Sequence, residues 1–402
     1  MGNVPKLRFK EFDGDWFHSR LGCLTSRAGY GIGSAATAFD GTNKYLRITD
    51  IDESSRRFLP NPLTSPEGII DSRYILREGD IVFARTGAST GKSYLYNPDD
   101  GKLVFAGFLI KFHIDQADPY FIYLNTFRGS YDHWVKVMSV RSGQPGINAE
   151  EYKLLPVSLP SLPEQQKIAA FLTAVDTKIE QLTKKEQHLQ QYKKGVMQKL
   201  FSQEIRFKAD DGSEFPEWRR FRLSDFLVSE NREVPKPHSE YLALGLRSHC
   251  KGTFQKPNSD PSKIAMDKLF RVKANDLVVN ITFAWEGAIT IAKPEDDGGL
   301  VSHRFPCFTF DKTVTEHNFF QYVISHKRFR HYLDLISPGG AGRNRVMSKK
   351  DFVKLKWTLP SLDEQKEISN FLGSVEQKIY QTSKQLEAAK TFKKGLLQQM
   401  FE

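Results

Sequence analysis

Two stretches of the chain, residues 159–201 and 359–401, carry apolar residues at alternating spacings of four and three. Neither stretch contains a proline after its first turn, so each can form one continuous helix. A narrow stripe with a period of 3.5 residues is typical of a coiled-coil seam, and we predict that the two stripes bury each other. Two amphipathic helices lying on separate globular cores are the alternative. The predicted seam residues are Ile168, Leu172, Val175, Ile179, Leu182, Leu189, Val196, Ile368, Leu372, Val375, Ile379, Leu386 and Leu396.

The two stretches are copies of one repeat. They align without a gap, nearly half of their positions are identical, and both begin with Leu-Pro-Ser-Leu and carry Lys-Lys-Gly near their ends. Ser161 and Ser361 are candidate N-caps, and Glu164 and Glu364 follow them at the capping-box spacing. Similarity at a fixed interval over this length indicates an internal duplication.

The segments that precede the two helices form a second, more diverged repeat. Leu7-Arg8-Phe9-Lys10 corresponds to Ile205-Arg206-Phe207-Lys208, and a Gly-rich loop closes each segment. Short β-branched and aromatic runs bounded by Gly, Asp, Asn and Pro predict mixed α/β domains with long loops. The predicted order is therefore domain, helix, domain, helix. The predicted boundaries are 1–157 for the first domain, 158–202 for the central helix, 203–357 for the second domain and 358–402 for the C-terminal helix.

Charge and cysteine content narrow the class of protein. The chain has 58 Lys and Arg against 48 Asp and Glu, a net charge of +10, which favours a polyanionic partner. Cys23, Cys250 and Cys307 are far apart and form no Cys-x-x-Cys pair, so we predict neither a zinc site nor a disulfide scaffold. No apolar run is long enough to span a bilayer, and the charged N-terminal region is unlike a signal peptide. We predict a cytoplasmic protein with no membrane partner.

Motifs for catalysis are weak. Residues 87–93 resemble a P-loop, but the interval between the glycines is one residue short, so a basic loop or a strand turn is the better interpretation. The glycines of residues 29–33 indicate a flexible turn, because no strand and helix flank them as a cofactor loop requires. The histidines show no metal-ligand spacing. We predict no catalytic residue, no cofactor-binding residue and no metal site.

The repeated Leu-Pro-Ser-Leu-x-Glu-Gln opening, the Lys-Lys-Gly-x-x-Gln-x-x-Phe ending and Ala84-Arg85-Thr86-Gly87 resemble the specificity (S) subunit of type I restriction-modification systems. The resemblance implies an α+β fold. In it, two mixed α/β target-recognition domains are separated by two long helices, which pair as an antiparallel coiled coil with a pseudo-two-fold internal repeat. The second domain departs from the motif, because residues 280–285 stand where the first domain has Ala84-Arg85-Thr86-Gly87.

The resemblance also implies a function. The chain would be a non-catalytic subunit that reads double-stranded DNA and docks two modification (adenine methyltransferase) subunits and restriction (translocase/nuclease) subunits. It would bind no cofactor itself, while S-adenosylmethionine, ATP and Mg would be used by the partner subunits. The chain contains no Asn-Pro-Pro-aromatic stretch, which by resemblance to amino-methyltransferases would hold a flipped adenine.

Candidate DNA contacts follow from the chemistry of base reading, in which Arg pairs with guanine and Asn or Gln with adenine. Solvated surface charges or phosphate contacts are the alternative for each residue, and Trp285 also suits a core position. The candidates in the first domain are Arg47, Arg85, Thr86, Lys92, Arg141 and Gln144. Those in the second are Arg247, Asn280, Trp285, His303, Arg304, Arg343, Asn344 and Arg345.

A helix over residues 163–201 spans about 58 Å at the α-helical rise. Two unlike recognition domains held apart by such helices would read two different half-sites with unread bases between them. The helices would then set the distance between half-sites. Three alternatives remain open: a stand-alone DNA-modifying enzyme, a coiled-coil DNA-binding or protein adaptor without a restriction role, and an S subunit that binds partners without supporting cleavage.

Overall fold

The computed structural model describes residues 4–140, 143–339 and 345–401. The chain divides into two compact units. Unit 1 comprises Met1–Glu186 and Gln381–Glu402, and unit 2 comprises Gln187–Tyr380. These units are defined by contacts between residues, and each contains parts of both long helices. The boundaries predicted from the sequence instead separate each helix from its domain, so they stay a prediction.

Unit 1 contains ten strands and three short α-helices among its described residues, besides parts of two long helices. The strands are Phe17–Arg20 (β1), Thr25–Tyr30 (β2), Ala36–Ala38 (β3), Lys44–Leu46 (β4), Thr64–Pro66 (β5), Asp80–Ala84 (β6), Ser93–Leu95 (β7), Leu103–Phe105 (β8), Leu109–Ile114 (β9) and Pro156–Leu159 (β10). The short helices are Pro119–Asn125 (α1), Gly129–Met138 (α2) and Ala149–Lys153 (α3). The long helices are Leu162–Phe201 (α4), which begins in this unit, and Leu362–Phe401 (α8), which ends in it.

The main sheet of unit 1 has the strand order β2-β9-β6-β7, and all its pairs are antiparallel. Its central strand β6 is buried at every position, as expected for the apolar run Ile81-Val82-Phe83-Ala84. Helix α1 begins at Pro119, where proline is tolerated, and the carboxylate of Asp118 caps it by accepting the N–H of Phe121 at 2.8 Å. The remaining strands pair as β1-β10, β3-β5 and the parallel pair β4-β8.

Unit 2 contains eleven strands and three short α-helices among its described residues. The strands are Arg219–Arg222 (β11), Leu227–Glu230 (β12), Glu233–Pro235 (β13), Tyr241–Leu246 (β14), Thr253–Ser259 (β15), Lys268–Arg271 (β16), Leu277–Val279 (β17), Ile289–Ile291 (β18), Leu300–Val301 (β19), Cys307–Phe310 (β20) and Lys356–Leu359 (β21). The short helices are His317–Ser325 (α5), Lys327–Leu335 (α6) and Lys349–Phe352 (α7).

Unit 2 repeats the main elements of unit 1. Its four-stranded sheet has the order β12-β20-β17-β18, which corresponds strand by strand to β2-β9-β6-β7. The pair β11-β21 corresponds to β1-β10, and a five-stranded sheet of order β13-β16-β19-β14-β15 completes the unit. The predicted α+β fold, with two mixed α/β domains and two long helices in one internal repeat, is confirmed.

The two long helices pair within each unit and run antiparallel there. In unit 1, Ile168 and Leu172 near the start of α4 share one core with Leu396 and Met400 near the end of α8. In unit 2, Ile368 and Leu372 near the start of α8 share a core with Leu200 near the end of α4. The same cores contain residues of the sheets and short helices, so each helix half is fixed to its globular domain as well as to its partner.

The predicted seam residues are shielded from solvent, and none of them is exposed. The structure buries Ile168, Leu172, Leu182, Ile368, Leu372, Val375, Leu386 and Leu396, and it half-buries Val175, Ile179, Leu189, Val196 and Ile379. A stripe that is buried at this period is what a coiled-coil seam requires.

Two lysines interrupt the apolar stripe, and each forms an ion pair across the helix pair. In unit 1, Lys393 lies 2.7 Å from the carboxylate of Asp176, which also accepts the hydroxyl of Tyr120. In unit 2, Lys193 lies 2.5 Å from Glu376, whose other oxygen is 3.3 Å from the hydroxyl of Tyr322. Burial raises the pKa of each tyrosine most, and the neighbouring carboxylate raises it further.

The prediction of an N-cap holds for Ser361, whose hydroxyl accepts the N–H of Glu364 at 3.4 Å, but the side chains of Glu164 and Glu364 do not complete capping boxes. Both oxygens of Glu164 accept hydrogen bonds from the guanidinium of Arg8 at 2.7 Å. Glu364 accepts the guanidinium of Arg206 at 3.1 and 2.8 Å and the indole N–H of Trp218 at 3.1 Å. The buried carboxylates are bound by a distant arginine because a bidentate, charge-assisted pair satisfies them better than one backbone N–H.

Candidate nucleic-acid interface

In unit 1, the hairpin loop between β6 and β7 meets the loop that follows α2. Arg85 continues β6, and its backbone N–H donates to Phe108 at 3.1 Å while its carbonyl accepts the N–H of Ile147 at 2.9 Å. Thr86 forms an isolated antiparallel bridge with Gly146. The structure therefore brings two of the predicted DNA-contacting residues, Arg85 and Thr86, against the second loop.

The second loop presents Gln144 beside the hairpin. Gln144 is exposed, and its Nε2 is 3.2 Å from the position that a Cβ would occupy on Gly87. Gly87 has a φ of +78°, a left-handed conformation that favours glycine. Its N–H donates to the carbonyl of Pro145 at 3.0 Å. Arg141, predicted for the same loop, lies outside the described residues.

Tyr30 supports this site, although sequence reasoning did not select it. The guanidinium of Arg85 lies 4.9 Å from the centre of the Tyr30 ring, and the Tyr30 hydroxyl accepts the N–H of Ala149 at 3.1 Å. Tyr30 lies in the segment predicted to be a flexible turn, and that prediction is wrong. Gly29 and Tyr30 end β2, and a Cβ on Gly31 would come within 2.2 Å of the Ala106 carbonyl oxygen, so the glycine allows close backbone packing.

Two other residues predicted for DNA contact in unit 1 are engaged elsewhere. Arg47 forms two hydrogen bonds of 2.8 Å with the buried carboxylate of Asp50, and these bonds raise the pKa of its guanidinium. Lys92 is 9% exposed, donates to the carbonyl of Ile51 at 3.1 Å and pairs with Glu53. DNA contact stays a prediction for both, and it would require them to exchange these partners.

The P-loop-like residues 87–93 form the turn of an antiparallel hairpin. The backbone N–H of Thr90 donates to the carbonyl of Gly87 at 3.1 Å, and that of Gly91 donates to the carbonyl of Ala84 at 3.0 Å. No helix follows the loop, so the arrangement of amides at a helix start that cradles a phosphate is missing here. The strand-turn interpretation is confirmed.

Unit 2 places Ile281 where unit 1 has Arg85. Its N–H donates to the carbonyl of Arg304 at 3.0 Å, and its carbonyl accepts the N–H of Met347 at 2.8 Å, which is the pattern of Arg85. The hairpin positions of the two units are therefore equivalent in backbone structure and differ in side-chain chemistry.

Arg345 and Trp285 meet beside this position. The guanidinium of Arg345 lies 4.9 Å from the Trp285 ring and donates to Asp334 at 2.6 Å and to the carbonyl of Ser337 at 3.0 Å. Trp285 is half-buried, and its indole N–H donates to the carbonyl of Thr282 at 3.2 Å. Trp285 is therefore a platform for an arginine rather than a fully buried core residue.

The other candidates of unit 2 differ in accessibility. Asn280 is 8% exposed, and its Oδ1 accepts the N–H of Thr282 at 3.0 Å. His303 and Arg304 are exposed in one turn, and Arg247 is exposed and donates to the carbonyl of Thr253 at 3.1 Å. Arg343 and Asn344 lie outside the described residues.

Within the described residues, no group of three or more His, Cys, Asp or Glu side chains is arranged to hold a metal ion. In the same part of the chain, no helix combines the length and apolar character that crossing a membrane requires. The structure instead presents two loop surfaces, one in each unit, that carry Arg, Gln, His and Thr side chains.

Comparison with known families identifies this pattern. The sequence model described as the type I restriction modification DNA specificity domain matches residues 27–191 and 217–390. These two matches cover both halves of the repeat and more than half of the chain. The chain belongs to this family.

Two curated relatives of this specificity family come from Methanocaldococcus jannaschii. The type I restriction enzyme MjaVIII specificity subunit is 24% identical over 348 residues, which cover 82% of this chain and 80% of the relative. The putative type I restriction enzyme MjaX specificity subunit is 26% identical over 345 residues, with coverage of 81% and 78%.

Solved structures show the same fold. The crystal structure of the type I restriction-modification system S subunit from M. genitalium matches with a TM-score of 0.61 at 14% identity and covers 99% of both chains. A second match, from a study of complex assembly and conformational transition of the type I R-M system, has a TM-score of 0.53 at 18% identity and covers 98% of this chain and 99% of that one.

The two units of this family member share one backbone framework and differ in the side chains of their loops. Sequence reasoning selected Arg85, Gln144 and Arg345 because arginine and glutamine beside glycines suit base reading. It missed Tyr30, for which the only signal was an aromatic residue among glycines.

Proposed function

We propose that this chain reads a bipartite, asymmetric DNA sequence through the loop surfaces of its two units, one half-site each. The observation that carries the proposal is the difference between equivalent positions on one framework. Arg85 stacks on Tyr30 in unit 1, whereas Ile281 takes its place in unit 2 and Arg345 stacks on Trp285. Different side chains on equivalent loops select different bases, so the two half-sites differ in sequence.

The long helices would fix the distance between the half-sites. Each has 40 residues, about 60 Å at the α-helical rise. The halves of both helices are packed into the cores of the two units, which supports a spacer that moves with the recognition domains. The gap between half-sites would then be a property of helix length and not of loop sequence.

Catalysis would belong to partner subunits. In this proposal the chain acts in the cytoplasm and binds two modification (methyltransferase) subunits and the restriction subunits. S-adenosylmethionine, ATP and Mg would be used in those partners, with no cofactor in this chain. The three cysteines are free thiols, which suits a reducing compartment.

Methylome sequencing tests the proposal. A host that carries this chain together with the modification subunit of its own system should show methylated adenines in one motif with two unlike specified parts and a fixed unread gap. The purified chain alone should transfer no methyl group from S-adenosylmethionine to DNA. A palindromic motif, a motif without a gap or methyl transfer by the isolated chain would contradict the proposal.

Methylome sequencing, together with a DNA-binding measurement on the purified chain, separates this function from that of a protein adaptor. An adaptor without a role in DNA recognition would leave the host methylome unchanged, and the purified chain would bind random duplex DNA without the steep salt dependence of phosphate contacts.

A further inference from the structure

A two-stranded ribbon in unit 2 exposes a face that is almost entirely cationic. Strands β11 and β21 pair antiparallel, with Arg220 opposite Thr358 and Arg222 opposite Lys356. Since side chains alternate along a strand and opposite residues share a face, these four lie on one face of the ribbon. Arg220, Arg222 and Lys356 are exposed, and Thr358 is half-buried. We call these four residues the basic ribbon face.

The other side of the ribbon is anchored in the core of unit 2. Trp357 and Leu359 are 2% and 1% exposed, and Phe221 packs against the same core. The ribbon therefore holds its three cations at fixed positions rather than on a loose loop.

The cations have no acidic partner among the described residues. Two carboxylates are near in sequence, but Asp225 accepts the backbone N–H of Arg222 at 2.7 Å and Asp351 pairs with Lys354 at 3.1 Å. Arg222 and Lys356 face each other directly, and like charges in that position destabilise a sheet. A cost of this kind is offset when a polyanion covers the face.

The equivalent ribbon of unit 1 lacks this charge. There β1 pairs with β10, and the corresponding face carries His18 opposite Ser158 and Arg20 opposite Pro156. The imidazole of His18 lies 3.2 Å from the Ser158 hydroxyl. Only Arg20 keeps a permanent positive charge, so the basic face is specific to unit 2 and is not required by the shared fold.

We propose that the basic ribbon face binds the phosphate backbone of duplex DNA next to the half-site that unit 2 reads, without selecting bases. The inference rests on the proposed function, because it assumes that unit 2 faces DNA. Arg, Lys and Thr side chains are the usual donors to phosphate oxygens, and contacts of this kind position a protein without carrying sequence information. The contact would be one-sided, since unit 1 has no equivalent face.

The test measures how salt weakens binding of random-sequence duplex DNA to the full chain. The slope is taken as the magnitude of the fall of log affinity with log salt, and each phosphate contact that is lost lowers it by about 0.9. We expect the triple variant Arg220→Gln, Arg222→Gln, Lys356→Gln to lower the slope by up to about 2.7. Its melting temperature should not fall below that of the wild type, because the substitutions remove a repulsion.

Arg222→Gln and Arg20→Gln form a matched pair, since they remove the same charge from equivalent strand positions. The first should lower the slope by about 0.9, and the second should leave it unchanged. Equal effects of the two variants, or an unchanged slope in the triple variant of a DNA-binding chain, would overturn the inference.

Two further outcomes are separable. If the triple variant keeps its DNA slope but no longer co-purifies with the modification subunit, an acidic protein surface covers the face and the phosphate assignment is wrong. If the wild-type chain shows no salt-dependent DNA binding, the proposed function itself fails.

Discussion

At the scale of single residues, one repeated motif has a clear structural role. The Arg-Phe-Lys segments near the start of each domain supply Arg8 and Arg206, whose guanidinium groups bind Glu164 and Glu364 at the starts of the long helices. Each carboxylate side chain is 1% exposed. The sequence predicted a repeat at both places, but the pairing joins residues more than 150 positions apart, which local patterns do not indicate.

Removing one partner of such a pair should be costly. Glu364→Ala leaves the indole of Trp218 without its acceptor and removes the carboxylate from Arg206, which keeps partners in its own segment. We expect the free energy of unfolding to fall by about 2 kcal/mol. Glu367→Ala, an exposed position on the same helix, should change it by less than about 0.5 kcal/mol. Urea unfolding of both variants measures the difference, and equal losses would show that the buried pair stabilises nothing.

His326 gives unit 2 a dependence on pH. Burial, together with the nearby charge of Arg328, lowers the pKa of His326. Its neutral Nδ1 accepts the N–H of Arg328 at 3.2 Å and caps α6. Because the folded pKa lies below the unfolded value of about 6.5, the stabilisation is present above that pH and is lost as the pH falls through the folded pKa.

We therefore expect the free energy of unfolding to decrease between pH 7.5 and pH 5.5, and the decrease to be smaller in His326→Asn, which keeps a cap but does not titrate. The remaining dependence includes His317, whose pKa is lowered by burial in the same direction. An identical pH profile for His326→Asn would exclude His326 as the titrating group.

At the scale of elements, the two ion pairs inside the seam define how the helices align. Lys393 reaches Asp176 in unit 1, and Lys193 reaches Glu376 in unit 2, so the same lysine of the repeat is used twice. A polar residue at a seam position lowers stability in exchange for one defined register. A shift of the register by one heptad would move both lysines away from their carboxylate partners.

Reversal of one charge tests this role. Lys393→Glu places two carboxylates together and should destabilise the protein by about 2 kcal/mol, and adding Asp176→Lys should recover at least half of the loss. Lys394→Glu, on the exposed neighbouring position, should have little effect. A double-mutant cycle by thermal unfolding measures the coupling, and a coupling of zero would contradict the assignment.

The long helices could be predicted from the sequence because their signal is local. A period of 3.5 residues and the absence of internal proline predicted a central spacer over 158–202, and the structure has a helix over Leu162–Phe201. The recognition loops could not be predicted in the same way. Whether Lys92 points outward depends on Ile51 and Glu53, which reach it from another part of the chain.

At the scale of the whole molecule, the chain is one unit of structure used twice with different loops. Both units share a four-stranded sheet of the same order, a two-stranded ribbon and a part of each long helix. Family membership explains the duplication, and the unlike loops are what the proposed reading of two different half-sites requires.

The most direct test of the spacer account lengthens both helices by one heptad, inserted after Lys184 and after Lys384. A heptad keeps the seam in phase and adds about 10.5 Å to each helix. Methylome sequencing with the modification subunit should then show the original half-sites separated by a longer gap, by at most about three base pairs at 3.4 Å each. Changed half-site bases, or an unchanged gap in a variant that still methylates DNA, would contradict the account.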